Sequence, residues 1–371
     1  MTKRIVGFDI ARALAVIGMV VVNFKIVMVA EKDGLTWLDS AVGLLDGRAA
    51  ATFVVLAGAG ISLRSQKARV SGDAGQLVQA RTTLLKRAVF LLLVGLLYTP
   101  IWPGDILHFY GVYIAVAAFL LAAPARRLWT IATALVLAFP LMLFTLDYER
   151  GWDWATLSYD GLWTPTGMIR NLFFNGFHPV IPWLAFLLVG MVLGRLDMGN
   201  AAIRKRVFAW GAGIAIVAQV ASWLLIRALS PGETRGDQEA IVAIFGTEPM
   251  PPMPLYVLAG GGVAGAVIAA TIALGERYQG AAWLRPIVAT GQLALTLYVA
   301  HVVVGMGVLD VIGRLENQTL PFSLLSSAIF CALAMLFASL WRIRFKQGPL
   351  EAVMRALTDA KMKPGAGRGR W

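Results

Sequence analysis

The sequence predicts an all-α polytopic membrane helix bundle of about ten transmembrane helices, with both termini cytoplasmic. Three observations predict it. The 371 residues are 58% hydrophobic and only 15% charged, with a mean hydropathy of +0.71. Soluble domains run at roughly 45–50% apolar and about 25% charged, so this chain would leave large apolar patches in water. The apolar residues gather into runs near the ~20 residues that a helix needs to cross hydrocarbon. Finally, Lys and Arg alternate from loop to loop in the way that sets membrane orientation.

The runs are Val6–Ala30, Ala49–Leu63, Ala88–Trp102, Ile106–Ala123, Leu128–Leu146, Pro179–Leu196, Val207–Leu229, Pro254–Leu274, Ile287–Ile312 and Phe322–Trp341. The second and third are short, consistent with tilt, re-entry or extension into polar flanks. With the N-terminus inside, the inner segments hold twenty-four Lys and Arg and the outer segments six. Nine or eleven spans would break that alternation. Asp9 and Arg12 interrupt what would be the apolar stretch of a signal peptide, so the first span is expected to be retained. The outer loops Asp147–Phe177 and Ser230–Met253 are expected to cap the outer face. Residues 1–345 form one bundle, and 346–371 a cytoplasmic tail with a short amphipathic helix and a disordered Gly/Arg-rich end.

The formal net charge is +12. In a soluble protein this would point to nucleic acid; here cytoplasmic loops account for it, and nucleic acid is not an expected partner. Cys331 is the single cysteine, so no intrachain disulfide forms, and no His/Cys spacing suggests a metal. "GMVLG" (Gly190–Gly194), "GGVAG" (Gly261–Gly265) and "AGAG" (Ala57–Gly60) read as close helix packing.

Charged and polar groups at bilayer depth are costly and mark candidate sites. Asp9 and Arg12 share a face of the first span at i,i+3 and pair, either as a lock between helices or as a clamp for a cytoplasmic anion. Lys25 is expected to snorkel, and Asn23 to hydrogen-bond across helices. The three histidines fall in "GDILHFYGVY" (His108), "NGFHPVIPW" (His178) and "LTLYVAH" (His301), all in the outer half of the membrane by this topology. Three at one depth suggest a shared polar cavity. Asp105 precedes His108 by three residues and can orient it. Tyr110, Tyr113 and Tyr298 add hydroxyls, and Asp46 and Arg48 are further candidates.

The opening "RIVGFDIARALAVIGMVVVNF" (Arg4–Phe24), with "FVVLAGAGISL", "GDILHFYGVY", "HPVIPWLAFLLVGMVLGR" and "GQLALTLYVAH", resembles bacterial multi-pass membrane proteins. These are the heparan-α-glucosaminide N-acetyltransferase-like and YeiB-like proteins. "FKQGPLEAVMR" (Phe345–Arg355) resembles the closing Gly-Pro-Leu-Glu segment of the YeiB-like group. The resemblance implies a membrane-embedded acyltransferase in a bacterial cytoplasmic membrane. Acetyl-CoA or another acyl-CoA is the implied cytoplasmic co-substrate, and a hydroxyl or amine of a glycan or lipid-linked acceptor receives the acyl group outside. Asp9, Arg12, Asn23 and Asp46 match the family pattern. Val29–Asp39, where the acetyltransferase branch carries a histidine, has none here.

On chemistry, His178 or His108 is the expected base with His301 as partner, while Arg12 and inner basic residues meet the CoA phosphates. The expected partners are membrane lipid, acyl-CoA, the acceptor and a second copy in a homodimer. The alternative is a small-molecule transporter or flippase, against which the sequence offers no inverted repeat and no obvious Gly/Pro-broken pair of spans.

Overall fold

Helix α1 (Gly7–Met28) packs at the centre of the bundle because small residues let its neighbours close on it. A Cβ at Gly7 would overlap the backbone of Ile272, and one at Gly291 the carbonyl of Asp9. The computed structural model describes residues 5–28, 36–154 and 156–359. Most of Val29–Asp39 (residues 29–35) and the tail end (360–371) lie outside the described residues.

After α1 come α2 (Thr36–Gly43), α3 (Arg48–Arg64), α4 (Gln66–Ser71), α5 (Ala74–Tyr98), α6 (Leu107–Phe119) and α7 (Ala125–Thr145). Then follow α8 (Pro165–Arg170), α9 (Val180–Leu193), α10 (Ala201–Leu229), α11 (Arg235–Phe245) and α12 (Pro254–Arg277). The chain closes with α13 (Leu284–Gln292), α14 (Ala294–Ala300), α15 (Gly307–Val311), α16 (Leu320–Arg344) and α17 (Pro349–Thr358). A two-residue ladder pairs Trp152–Asp153 with Ser158–Tyr159 in the first long loop. Asp73 starts α5 by accepting from the N–H groups of Gly75 (2.7 Å) and Gln76 (3.1 Å), and Asn200 does the same for α10 through Ala202 (2.9 Å).

Each expected span coincides with a helix or a broken helix. Among the described residues, seven helices are long and apolar enough to cross a membrane, or eight if the bent pair Pro165–Asn175 and Val180–Leu193 is one span. Of the others, α5 has 25 residues with a charged first half, and α6 has only 13. Contacts fix relative directions. Gly18 against Ala49 and Lys25 against Asp46 make α1 and α3 antiparallel. Gly190 on Val55 and Gly194 on Ala59 make α3 and α9 parallel, and Gly211 and Gly262 set α10 antiparallel to α12. The glycines of "GMVLG" and "GGVAG" thus serve packing.

Two spans are broken, where the sequence offered no obvious Gly/Pro-broken pair. The first carries a π-helical turn at Asn171–Asn175 and bends by 51° before α9. The second stops at Leu293, restarts as α14, and passes into a π-helical stretch at His301–Met306. The sequence signal was weak: the first break uses Gly176 and Pro179, which read as loop, and Leu293 carries no mark at all. At one end of the bundle the two long loops meet over Phe139, where Tyr148, Phe174 and Met253 form a small second core. The tail helix α17 docks on α5 and α14, with Arg87 holding Asp359 at 2.9 Å.

Candidate functional site

Asp105 is fully buried, which a carboxylate tolerates only when its oxygens are satisfied. The backbone N–H of His108 (3.2 Å) and His108 Nδ1 (3.0 Å) donate to Oδ2, and the Tyr298 hydroxyl donates to Oδ1 at 3.3 Å. Tyr298 in turn accepts the N–H of Ile106 at 3.1 Å. The dyad forms because Asp105 sits just before α6, one turn from His108, and because Gly95 lets α5 close against the backbone at His108. Nδ1 carries the proton toward Asp105, and Nε2 makes no hydrogen bond among the described residues. This is the arrangement of a base held in one tautomer by a carboxylate.

His301 is also buried and wholly engaged. Its Nδ1–H donates to the Tyr298 carbonyl, and Nε2 accepts from Asn23 Nδ2 at 2.9 Å. The chain Asn23–His301–Tyr298–Asp105–His108 therefore links two of the three histidines through hydrogen bonds. His178 joins through rings rather than bonds. The Phe109 ring lies 3.9 Å from that of His108 and 6.0 Å from that of His178, centroid to centroid. Trp183 packs edge-on against His178 at 4.6 Å, and the Tyr113 hydroxyl donates to the His178 carbonyl. His178 Nδ1 is buried without a hydrogen-bond partner among the described residues.

Asp46 and Arg48 belong to a separate cluster. Lys25 does not snorkel: its Nζ donates to Asp46 Oδ2 at 2.6 Å, because the turn before α3 brings that carboxylate against the end of α1. Arg48 is buried and reaches Thr247 (3.0 Å) and Gln219 (3.3 Å), both invisible as site residues in the sequence. Tyr256, which donates to the Gly47 carbonyl at 3.1 Å, stands between this cluster and Trp183, with 5.8 Å between the two rings.

At the other end of α1, Arg12 pairs with Asp9 at 3.0 Å and donates to the Gly291 carbonyl at 3.2 Å, so the pair does lock α1 to α13. The same residues line a cavity of about 570 Å³ with Arg64, Arg195 and Gly60. Arg195 Nε is buried there without a partner among the described residues. Arg64 also lines a groove of about 1490 Å³ with Lys67, Lys86 and Arg87. Asn23 is not part of this end: it lies eleven residues beyond Arg12, about 16 Å along the helix. Tyr110 stands between the two ends, within electrostatic reach of Arg12 and Arg64 and 6.3 Å from the Tyr113 ring. No group of three or more metal-ligating side chains gathers among the described residues.

Residues 4–225 match the family described as heparan-alpha-glucosaminide N-acetyltransferase, catalytic. The chain belongs to that family. The match takes in Asp9, Arg12, Asn23, Asp46, Asp105, His108 and His178. Residues 196–361, which include His301 and α17, match a second family, described as a protein of unknown function (DUF418). No curated protein matches the chain. As a member of the N-acetyltransferase family, the protein is a multi-pass membrane protein of acetyltransferase-like type.

Proposed function

We propose that this protein moves an acetyl or other acyl group from a cytoplasmic acyl-CoA to a hydroxyl or amine of a carbohydrate or lipid-linked acceptor across the membrane. Ten crossings with both termini cytoplasmic put the Asp9–Arg12 end inside and the His108 end outside. The observation that carries the reading is the Asp105–His108 dyad, with Nδ1 committed to the carboxylate and Nε2 unengaged. The basic cavity and groove around Arg64 supply cations for the nucleotide phosphates, where charge-assisted bonds are strongest.

In the transfer, His108 Nε2 takes the proton of the acceptor hydroxyl or amine as that atom attacks the thioester carbonyl. The carbon–sulfur bond breaks, and the proton returns to the departing thiolate as the CoA thiol. A positioned base contributes about 10²–10⁴-fold, and Asp105 stabilises the imidazolium that His108 becomes. His301 has both nitrogens committed and acts on Tyr298 and Asn23 rather than on the acceptor. The test is release of free CoA thiol from acetyl-CoA by protein in nanodiscs, against a panel of amino sugars and lipid-linked sugars. Wild type releases thiol with a matching acceptor and His108→Gln does not; no binding or turnover of any acyl-CoA overturns the reading.

Transport is a second reading, favoured by the two broken spans at 165–193 and 284–311. Uptake of a solute by proteoliposomes without any acyl donor would select it.

A further inference from the structure

The tail reaches the candidate site from the far end of the chain. Glu351 Oε1 accepts the backbone N–H groups of Leu295 (2.8 Å) and Thr296 (3.2 Å), and Oε2 accepts the Thr296 hydroxyl at 2.5 Å. The Leu350 N–H donates back to Thr296 Oγ1 at 3.0 Å. A Cβ at Gly348 would overlap Glu351 Oε2 and come within 2.8 Å of Thr296 Oγ1, so the Gly-Pro-Leu-Glu segment is shaped around this one threonine. Trp341 Nε1 donates to the Gln347 carbonyl at 2.7 Å and fixes the approach of the segment.

The position of this contact matters. Leu293 ends α13, so the first N–H groups of α14 have lost helical partners, and the Glu351 carboxylate takes two of them. Two residues on, Tyr298 bonds Asp105, and its carbonyl fixes the His301 tautomer. We propose that Glu351 is a positioning residue: it holds the break at Leu293 and so sets where Tyr298 and His301 stand against Asp105 and Asn23. Only the kinetic readout below rests on the acyltransferase reading; the geometric claim stands apart from it.

The experiment uses the full-length protein in nanodiscs and measures diethyl pyrocarbonate labelling of His301 and amide exchange at Leu295 and Thr296 by mass spectrometry. Glu351→Ala is expected to raise both rates about tenfold or more, since each of the two amides and the Thr296 hydroxyl loses a charge-assisted hydrogen bond. Glu351→Gln, which keeps an acceptor for the backbone, gives an intermediate rate. Asp359→Asn loosens the far end of α17 and leaves His301 at the wild-type rate. In the kinetic arm, Glu351→Ala lowers kcat with the KM for acetyl-CoA unchanged. Should Glu351→Ala fail to fold, Thr296→Val carries the test, with faster labelling expected. Labelling within roughly twofold of wild type in both variants, or an equal rise in Asp359→Asn, overturns the proposal. A wild type without acyl-CoA turnover removes only the kinetic arm.

Discussion

Asn23 meets His301 at 2.9 Å, and eleven residues earlier on the same helix Arg12 meets the Gly291 carbonyl at 3.2 Å. The two contacts make α1 run parallel to the broken span that carries Tyr298. Asn23→Leu leaves His301 Nε2 buried and unpaired, and is expected to cost about 1–2 kcal/mol. Thermal unfolding in detergent reads this as a lower Tm; a melt identical to wild type would show that the bond contributes nothing.

Asp105 and Tyr298 act on the chemistry through His108. Asp105→Asn keeps the volume but removes the charge that holds Nδ1–H and stabilises the imidazolium. Acyl transfer is expected to fall by about 10²-fold or more, mostly in kcat. Tyr298→Phe removes one of three donors to Asp105 and is expected to cost about tenfold. Initial rates of thiol release at saturating acetyl-CoA check both. A fall confined to KM would mean that the dyad binds substrate rather than moving a proton.

Membrane helices such as α1, α10, α12 and α16 were legible because each reports itself through about twenty apolar residues. Asp105 and His108 were legible as a pair because i,i+3 spacing is local. Partners distant in sequence were not. Nothing in the stretch around Lys25 indicates that Asp46, a turn and a short helix later, will come within 2.6 Å of it. Glu351 reads as one more charge in the tail until Thr296 is brought beside it. Leu293 itself carries no Pro or Gly signal, and the carboxylate that takes the freed N–H groups of Leu295 and Thr296 comes from another element. The Gly-x-x-x-Gly strings were readable as packing motifs, but their partners, Val55 and Ala59, were not.

The Lys25–Asp46 pair is largely shielded, with side chains 16% and 18% exposed. Breaking it from one side leaves a poorly solvated charge. Lys25→Met alone and Asp46→Asn alone are each expected to destabilise by roughly 1–3 kcal/mol, and the double variant by less than the sum. A double-mutant cycle on urea or thermal unfolding gives the coupling directly. Strict additivity would mean that the two charges do not interact.

Gly58 and Gly60 lie two residues apart on α3 and should answer oppositely to the same change. A Cβ at Gly58 would overlap the Leu187 carbonyl of α9, whereas one at Gly60 meets nothing within 4 Å. Gly58→Ala is expected to cost about 1–3 kcal/mol by forcing α3 and α9 apart. Gly60→Ala should be neutral or stabilising by up to about 1 kcal/mol, since alanine is the better helix former. Paired melts, with expression level as a second readout, separate them.

Asp359 makes docking of the tail helix sensitive to acid. Burial opposes its charge, but hydrogen bonds from Arg355 (3.0 Å) and Arg87 (2.9 Å) outweigh that and hold the carboxyl below its ordinary value. A carboxyl depressed in the folded state contributes stability that is fully present above the unfolded value, near pH 4, and is lost as pH falls through the folded value. The distance between spin labels on α5 and α17 should therefore hold steady from neutral pH down to about pH 4 and broaden below it. Asp359→Asn should show the broadened distribution already at pH 7. A wild-type distribution that broadens above pH 5 would assign the transition to a different group.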